Sequence, residues 1–297
     1  MEKGGIHVDK AFLAEEVGKV KGVYIPVKAS LITRLLVKKT KCRNLHPNPE
    51  DEFSMPEIGP NYQIISKYED QYRHALKAGA YKYLEEPVIV EKLQPDGYLI
   101  LNGHHRWAAA LQLGYSRIPI RVVNPSHEED IVSIIQNSKH NRRATLDLDE
   151  VVFRGPEDAD AEKALPLPLN RIYKQRLRLG IPALFRYLSM NGYDIWVYTA
   201  QYYSMDYIKR LFMRYHVHVD GIITGIKSKS YDHSESAQRV RELIANKYPC
   251  TIHIDRNSVL RVSGVSGEFD ERPLECSPGE WSQAVMTAVK ELGADEK

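Results

Sequence analysis

Cysteine is scarce. Of 297 residues only Cys42, Cys250 and Cys276 carry a thiol. The number is odd, the spacings are long and no Cys-x-x-Cys pair occurs. This argues against a disulfide scaffold or a cysteine zinc site and points to a reducing compartment. Long apolar runs are lacking as well. No stretch approaches the roughly 20 apolar residues that a bilayer-spanning helix needs. Lys10, Glu15, Glu16, Lys19 and Lys21 interrupt the place where a signal core would stand. A cytoplasmic protein without a membrane partner is expected. An excess of one charge is also missing: the formal net charge is +2, too even to attract nucleic acid by charge alone. Hydrophobic residues at 43% and charged residues at 27% suit a globular chain long enough for two domains.

Residues 43–60 are rich in Pro, Asn, Asp and Glu and read as a loop. Apolar spacing predicts a helix over 65–84. Strands at 87–93 and 98–101 flank the turn Pro95-Asp96-Gly97 as a hairpin. Asn102-Gly103-His104-His105-Arg106 then leads into the helix former Trp107-Ala108-Ala109-Ala110, and a strand follows at 118–123. A polar helix over 127–138 is placed with the first half. The domain boundary is expected near residue 140, giving domains 1–140 and 141–297.

The second half alternates strand and helix. Strands are expected at 144–148, 194–198, 221–224 and 251–254, with helices at 170–191 (broken at 180–182), 204–215, 235–247 and after Ser277. Such alternation predicts an α/β fold with a parallel sheet, with functional residues at the carboxyl ends of its strands.

Those ends carry one chemical logic. Asp147 and Asp149 leave a strand at i and i+2, so one carboxylate can attack phosphorus while the other moves a proton. Attack on a phosphate anion needs a divalent cation, which Asp255 at another strand end could help hold. Thr199 could bind phosphoryl oxygens, and Lys227 or Lys229 could neutralise developing charge.

The order Thr145-Leu146-Asp147-Leu148-Asp149, then Tyr198-Thr199-Ala200, then Lys227 or Lys229, then Ile252-His253-Ile254-Asp255, resembles the haloacid-dehalogenase-like (HAD) superfamily over about residues 142–295. The resemblance implies a Rossmann-like domain with Asp147 as nucleophile and Asp149 as acid/base. It also implies Mg2+ on Asp147, Asp149 and Asp255. The short spans between motifs leave room for only a minimal cap. One departure stands out: Arg256, Asn257 and Ser258 follow Asp255 where the family places a second acid.

In the first half, Gly103 frees the backbone where a helix begins. A helix start presents unpaired N–H groups suited to phosphate, and His104, His105 and Arg106 add donors there. The stretch Glu86-Pro87-Val88 to Asn102-Gly103-His104-His105-Arg106-Trp107, closing with Gly114-Tyr115, resembles the ParB/sulfiredoxin superfamily over roughly residues 22–125. An α+β domain binding nucleotide phosphates through Gly103, His104, His105 and Arg106 is implied. The His-His form is similar to members that act as free serine kinases. The resemblance leaves open whether the nucleotide is ATP, ADP or CTP. DNA is not an expected partner, because a HAD-like half follows where the chromosome-partition members carry a helix-turn-helix module.

Taken together, the sequence points first to Mg2+-dependent phosphatase or phosphotransferase activity through Asp147, beside a nucleotide- or phosphate-binding N-terminal domain. Two alternatives stand beside it. One is a nucleotide-dependent kinase of a small molecule in the N-terminal domain. The other is a nucleotide-gated binding protein whose HAD half is inactive.

Overall fold

The computed structural model describes residues 5–77, 86–225, 235–263 and 267–294. It is a mixed α/β structure that divides into two compact units, Met1–Asn124 and Pro125–Lys297.

In the first unit the elements run α1 (Lys10–Val20), β1 (Ile25–Pro26), α2 (Leu31–Leu35), β2 (Val37–Lys41), β3 (Leu45–Pro47), α3 (Tyr62–Lys77), β4 (Val88–Gln94), β5 (Tyr98–Asn102), α4 (His104–Gln112) and β6 (Arg117–Val123). The sheet order is β2-β6-β4-β5-β3, with β1 paired to the far end of β4. The expected hairpin is present: β4 and β5 pair antiparallel. Val88, Val90 and Leu93 lie in the core, and an irregularity between Ile89 and Val90 shifts the register along β4. Against the expectation of a plain loop at 43–60, Leu45–Pro47 is a strand parallel to β5. Its residues are buried, Leu45 completely, and that burial outweighs the polar composition around it. Helix α3 starts three residues before its expected position. The Asn61 side chain accepts the backbone N–H groups of Gln63 and Ile64, at 3.1 and 3.3 Å, and so caps it. The expected continuation of this helix beyond Lys77 lies outside the described residues.

The second unit continues with α5 (Glu128–Asn137), β7 (Arg142–Asp147), β8 (Phe153–Arg154), α6 (Leu169–Ile172), β9 (Arg176–Leu177), α7 (Ile181–Met190), β10 (Tyr193–Thr199), α8 (Met205–Arg214), β11 (Gly221–Thr224), α9 (Glu235–Lys247), β12 (Cys250–Ile254), β13 (Ser258–Ser263), β14 (Phe269–Pro273) and α10 (Trp281–Ala294). The main sheet runs β11-β10-β7-β12-β13-β14. β11, β10, β7 and β12 are mutually parallel, and β13 and β14 extend the sheet antiparallel.

Two expectations differ from the structure here, and one element is new. The unit boundary falls after Asn124 rather than near 140. Ile131 of α5 is buried with Trp196 and Tyr248, and the Ser126 hydroxyl donates to the Ile222 carbonyl at 2.8 Å. The apolar face of this helix therefore belongs to the second unit. The span 170–191 is not one broken helix. Arg176–Leu177 pairs antiparallel with Phe153–Arg154, and the Arg176 guanidinium donates to the carbonyls of Pro156, Ala161 and Glu162. Gly180 (φ 85°) then opens α7, and a side chain there would strike Ser282. The β13–β14 hairpin, which the sequence did not suggest, supplies the antiparallel edge.

Candidate functional site

Helix α4 in the first unit begins at Gly103, whose φ of 102° lies in the left-handed region. A Cβ there would stand 3.0 Å from the Arg106 guanidinium. No side chain caps this start. The first-turn N–H groups of a helix lack intrahelical acceptors, so the end carries partial positive charge.

The two histidines that follow are committed to the protein itself. His104 Nε2 accepts the backbone N–H of Asn48 at 3.2 Å, and its Nδ1 lies 3.6 Å from Asp51. His105 Nε2 accepts the backbone N–H of Asn61, also at 3.2 Å. Buried Phe53 stacks on His104 and meets His105 edge-on, with centroids 5.3 and 5.0 Å apart. Burial pushes the His105 imidazole below its ordinary range, and Asp51 opposes the shift. These rings act as acceptors that pin the 48–61 segment beside the helix start. The sequence suggested them as phosphate donors; in the structure their Nε2 atoms accept these backbone N–H groups. Arg106 is likewise engaged. It is buried and donates through Nη1 to the Glu86 carboxylate at 2.8 Å and carbonyl at 3.0 Å, and through Nη2 to Asn102 at 3.2 Å. Its Nε has no hydrogen-bond partner.

In the second unit the parallel register brings the predicted residues to one edge. Asp147 ends β7, Thr199 ends β10 beside it, and Asp255 follows β12 on the other flank. Asp147 Oδ1 accepts the backbone N–H groups of Asp149 and Glu150, each at 2.8 Å. Burial pushes its carboxyl above the ordinary range. Those two N–H groups oppose the rise, and the charges of Asp149 and Asp255 add to it. The Thr199 hydroxyl, fully buried, donates to Asp149 Oδ2 and accepts the Gln201 N–H at 2.9 Å. Tyr203 donates to Asp149 Oδ1 at 3.2 Å. This tyrosine went unnoticed in the sequence, where its position four residues past Thr199 is the only signal. Lys227 and Lys229 lie outside the described residues.

The hard oxygen donors Asp147, Asp149 and Asp255 are of the kind Mg2+ takes. Among the described residues, however, no group of three or more His, Cys, Asp or Glu is gathered to hold a metal ion. Asp255 Oδ1 instead accepts the Arg256 N–H at 2.6 Å. The arrangement as it stands does not fit a preformed Mg2+ site, so no chemical step is routed through a metal here.

Residues 69–139 match the family described as ParB N-terminal domain. Over 42 residues, 14% of this chain, the sequence is 40% identical to an ATP-dependent L-serine kinase of Staphylothermus marinus. It is 43% identical, also over 42 residues, to one of Desulfurococcus mucosus. The matches span only 17% and 16% of those kinases' own lengths. Among solved structures, the C-terminal domain of the coenzyme A biosynthesis bifunctional protein CoaBC aligns at 12% identity. That alignment covers 52% of this chain and 97% of that one with a TM-score of 0.19, a level that carries no argument. No helix among the described residues is long and apolar enough to cross a membrane.

Proposed function

We propose that the first unit is a nucleotide-dependent kinase of a small hydroxyl-bearing molecule, a free amino acid such as serine being the leading substrate. The observation that carries this is the uncapped start of α4 at Gly103, which lies within the segment matching the ParB N-terminal domain. The partial identity to ATP-dependent L-serine kinases points the same way. The terminal phosphates of the nucleotide lie against the first-turn N–H groups of α4. Arg106 and Gly103 shape that end, while His104 and His105 hold the neighbouring segment. Phosphoryl transfer asks for positioning and charge stabilisation more than for covalent help from the protein. The bond from the terminal phosphorus to the leaving nucleotide breaks, the bond to the acceptor oxygen forms, and the hydroxyl proton leaves to a base. Mg2+ accompanies the phosphates of the nucleotide. Calorimetric titration of ATP, ADP and CTP into the full chain tests the reading. Binding to the wild type that Gly103→Val abolishes supports it, and equal affinity in both proteins overturns it.

A second reading is favoured by the strand-end geometry of the second unit: a HAD-type phosphohydrolase or phosphotransferase. Asp147 is the nucleophile, Asp149 is held by Thr199 and Tyr203 as the proton-moving group, and the short 155–175 segment serves as a minimal cap. Its test is hydrolysis of a generic aryl phosphate that Asp147→Asn abolishes. If Asp147→Asn leaves hydrolysis unchanged, Asp147 is not the nucleophile. If the wild type hydrolyses nothing, the phosphohydrolase reading falls and the HAD-like half counts as inactive.

A further inference from the structure

The net charge of the whole chain is nearly even, but the charges are unevenly placed. No Asp or Glu stands between Glu16 and Glu50, nor between Asp96 and Glu128. Strands β2 and β6 come from these two stretches and pair antiparallel, with Val37 opposite Arg121, Lys39 opposite Pro119 and Lys41 opposite Arg117. Residues opposite one another in a strand pair share a face, as do alternate residues along one strand. Val37, Lys39, Lys41, Arg117 and Arg121 therefore lie on one face, and all five are exposed. Among the described residues no carboxylate pairs with any of these four cations.

Lysines on an edge strand commonly guard it against pairing with another strand. β6, however, is interior to the sheet, between β2 and β4, so edge protection does not account for Arg117 and Arg121. Lys41 and Arg117 stand directly opposite one another, and like charges so placed cost stability unless an anion joins them. At the Val37 end of this face the chain is aliphatic and open. Ile32, Leu35, Leu36 and Val37 are 73%, 49%, 61% and 51% exposed. Ile32 and Leu35, three residues apart, share one side of α2, a helix with no buried residue.

We propose that this face of the first unit docks on an anionic membrane surface. Lys39, Lys41, Arg117 and Arg121 lie among the lipid headgroups, and Ile32, Leu35, Leu36 and Val37 reach the acyl boundary. Cations beside an exposed aliphatic group suit attachment to the interface without spanning it. Nucleic acid matches the charge but not the aliphatic group, because single strands are held by stacking on aromatic rings and none of these residues is aromatic. A second copy of the chain in a two-fold dimer would set the same four cations against each other. The face lies at the β2 end of the sheet, whereas Gly103 follows β5. It does not depend on the kinase reading.

The test is flotation of the full chain, without nucleotide, on vesicles of phosphatidylcholine alone and of an equal mixture with phosphatidylglycerol. Binding to the mixed vesicles only is expected, with release in high salt, because surface attraction falls off within a Debye length. Lys39→Gln with Lys41→Gln is expected to weaken binding about thirtyfold, about fivefold per cation. Ile32→Ser with Leu36→Ser is expected to weaken it about tenfold through lost apolar burial. All four side chains are exposed, and an unfolding midpoint near that of the wild type checks that the fold survives. In Leu36→Trp the new indole emission is expected to shift to the blue on the mixed vesicles. No binding to the mixed vesicles overturns the proposal, and so does wild-type affinity in either double variant. Tighter binding to a DNA or RNA strand than to the vesicles, in the same salt, assigns the face to nucleic acid and overturns it as well.

Discussion

His105 Nε2 accepts the backbone N–H of Asn61 at 3.2 Å, so the second residue of α4 fastens the residue that caps α3. A protonated imidazole cannot accept this bond. Burial holds the folded-state pKa below the ordinary value, so the folded protein takes up a proton less readily than the unfolded chain. The resulting stability is present above about pH 6.5 and is lost as pH falls toward the folded value. Thermal unfolding from pH 7.5 to 5 is expected to show a steady fall in the wild type and a smaller fall in His105→Gln. Identical slopes would remove His105 from the explanation. His46 and His253, also pushed down by burial, add to the slope in the same direction.

Gly103→Ala is expected to destabilise the protein by about 1–2 kcal/mol, the cost of placing a side chain in left-handed backbone. Its Cβ also presses on a guanidinium that Glu86 and Asn102 hold in place. Denaturant titration measures the stability. Nucleotide titration should show about tenfold weaker binding, because the helix start must shift.

Asp194 is buried at the amino end of β10 and accepts from Tyr248 at 2.6 Å, from His140 at 2.7 Å and from Ser138. It fastens the 138–140 segment to the sheet, far along β10 from Thr199. Asp194→Ala strands several donors and is expected to cost about 3 kcal/mol. Equilibrium unfolding checks the magnitude. Asp194→Asn should recover part of the loss, since an amide oxygen still accepts.

Asp147→Asn keeps an oxygen for the Asp149 and Glu150 N–H groups, so the turn after β7 is expected to persist and the unfolding midpoint to stay near that of the wild type. If the second unit hydrolyses phosphate esters, the same change removes that hydrolysis. A large loss of stability would instead mark Asp147 as a structural cap.

Much of this architecture was written in local pattern. Strand–helix alternation placed Asp147, Thr199 and Asp255 at neighbouring strand ends, and the β4–β5 hairpin followed from its turn residues. What escaped was set by tertiary contact. Leu45–Pro47 is a strand because Leu45 reaches the core, and α5 joins the second unit because Ile131 meets Trp196 and Tyr248. The partners of His104 and His105 are backbone N–H groups 56 and 44 residues away, invisible to any motif. Arg154 and Arg178 meet at Asp160 only because β8 and β9 pair, and no spacing rule connects them.

The central claim is that the first unit transfers phosphate from a nucleotide to a small hydroxyl acceptor. The most direct measurement is phosphorus NMR of the full chain with Mg2+, L-serine and each of ATP, ADP and CTP in turn. The account predicts a new phosphomonoester signal that grows as one nucleotide is consumed, persists in Asp147→Asn and disappears in Gly103→Val. Consumption of no nucleotide with serine or any other hydroxyl amino acid, or a signal lost in Asp147→Asn and kept in Gly103→Val, would contradict it.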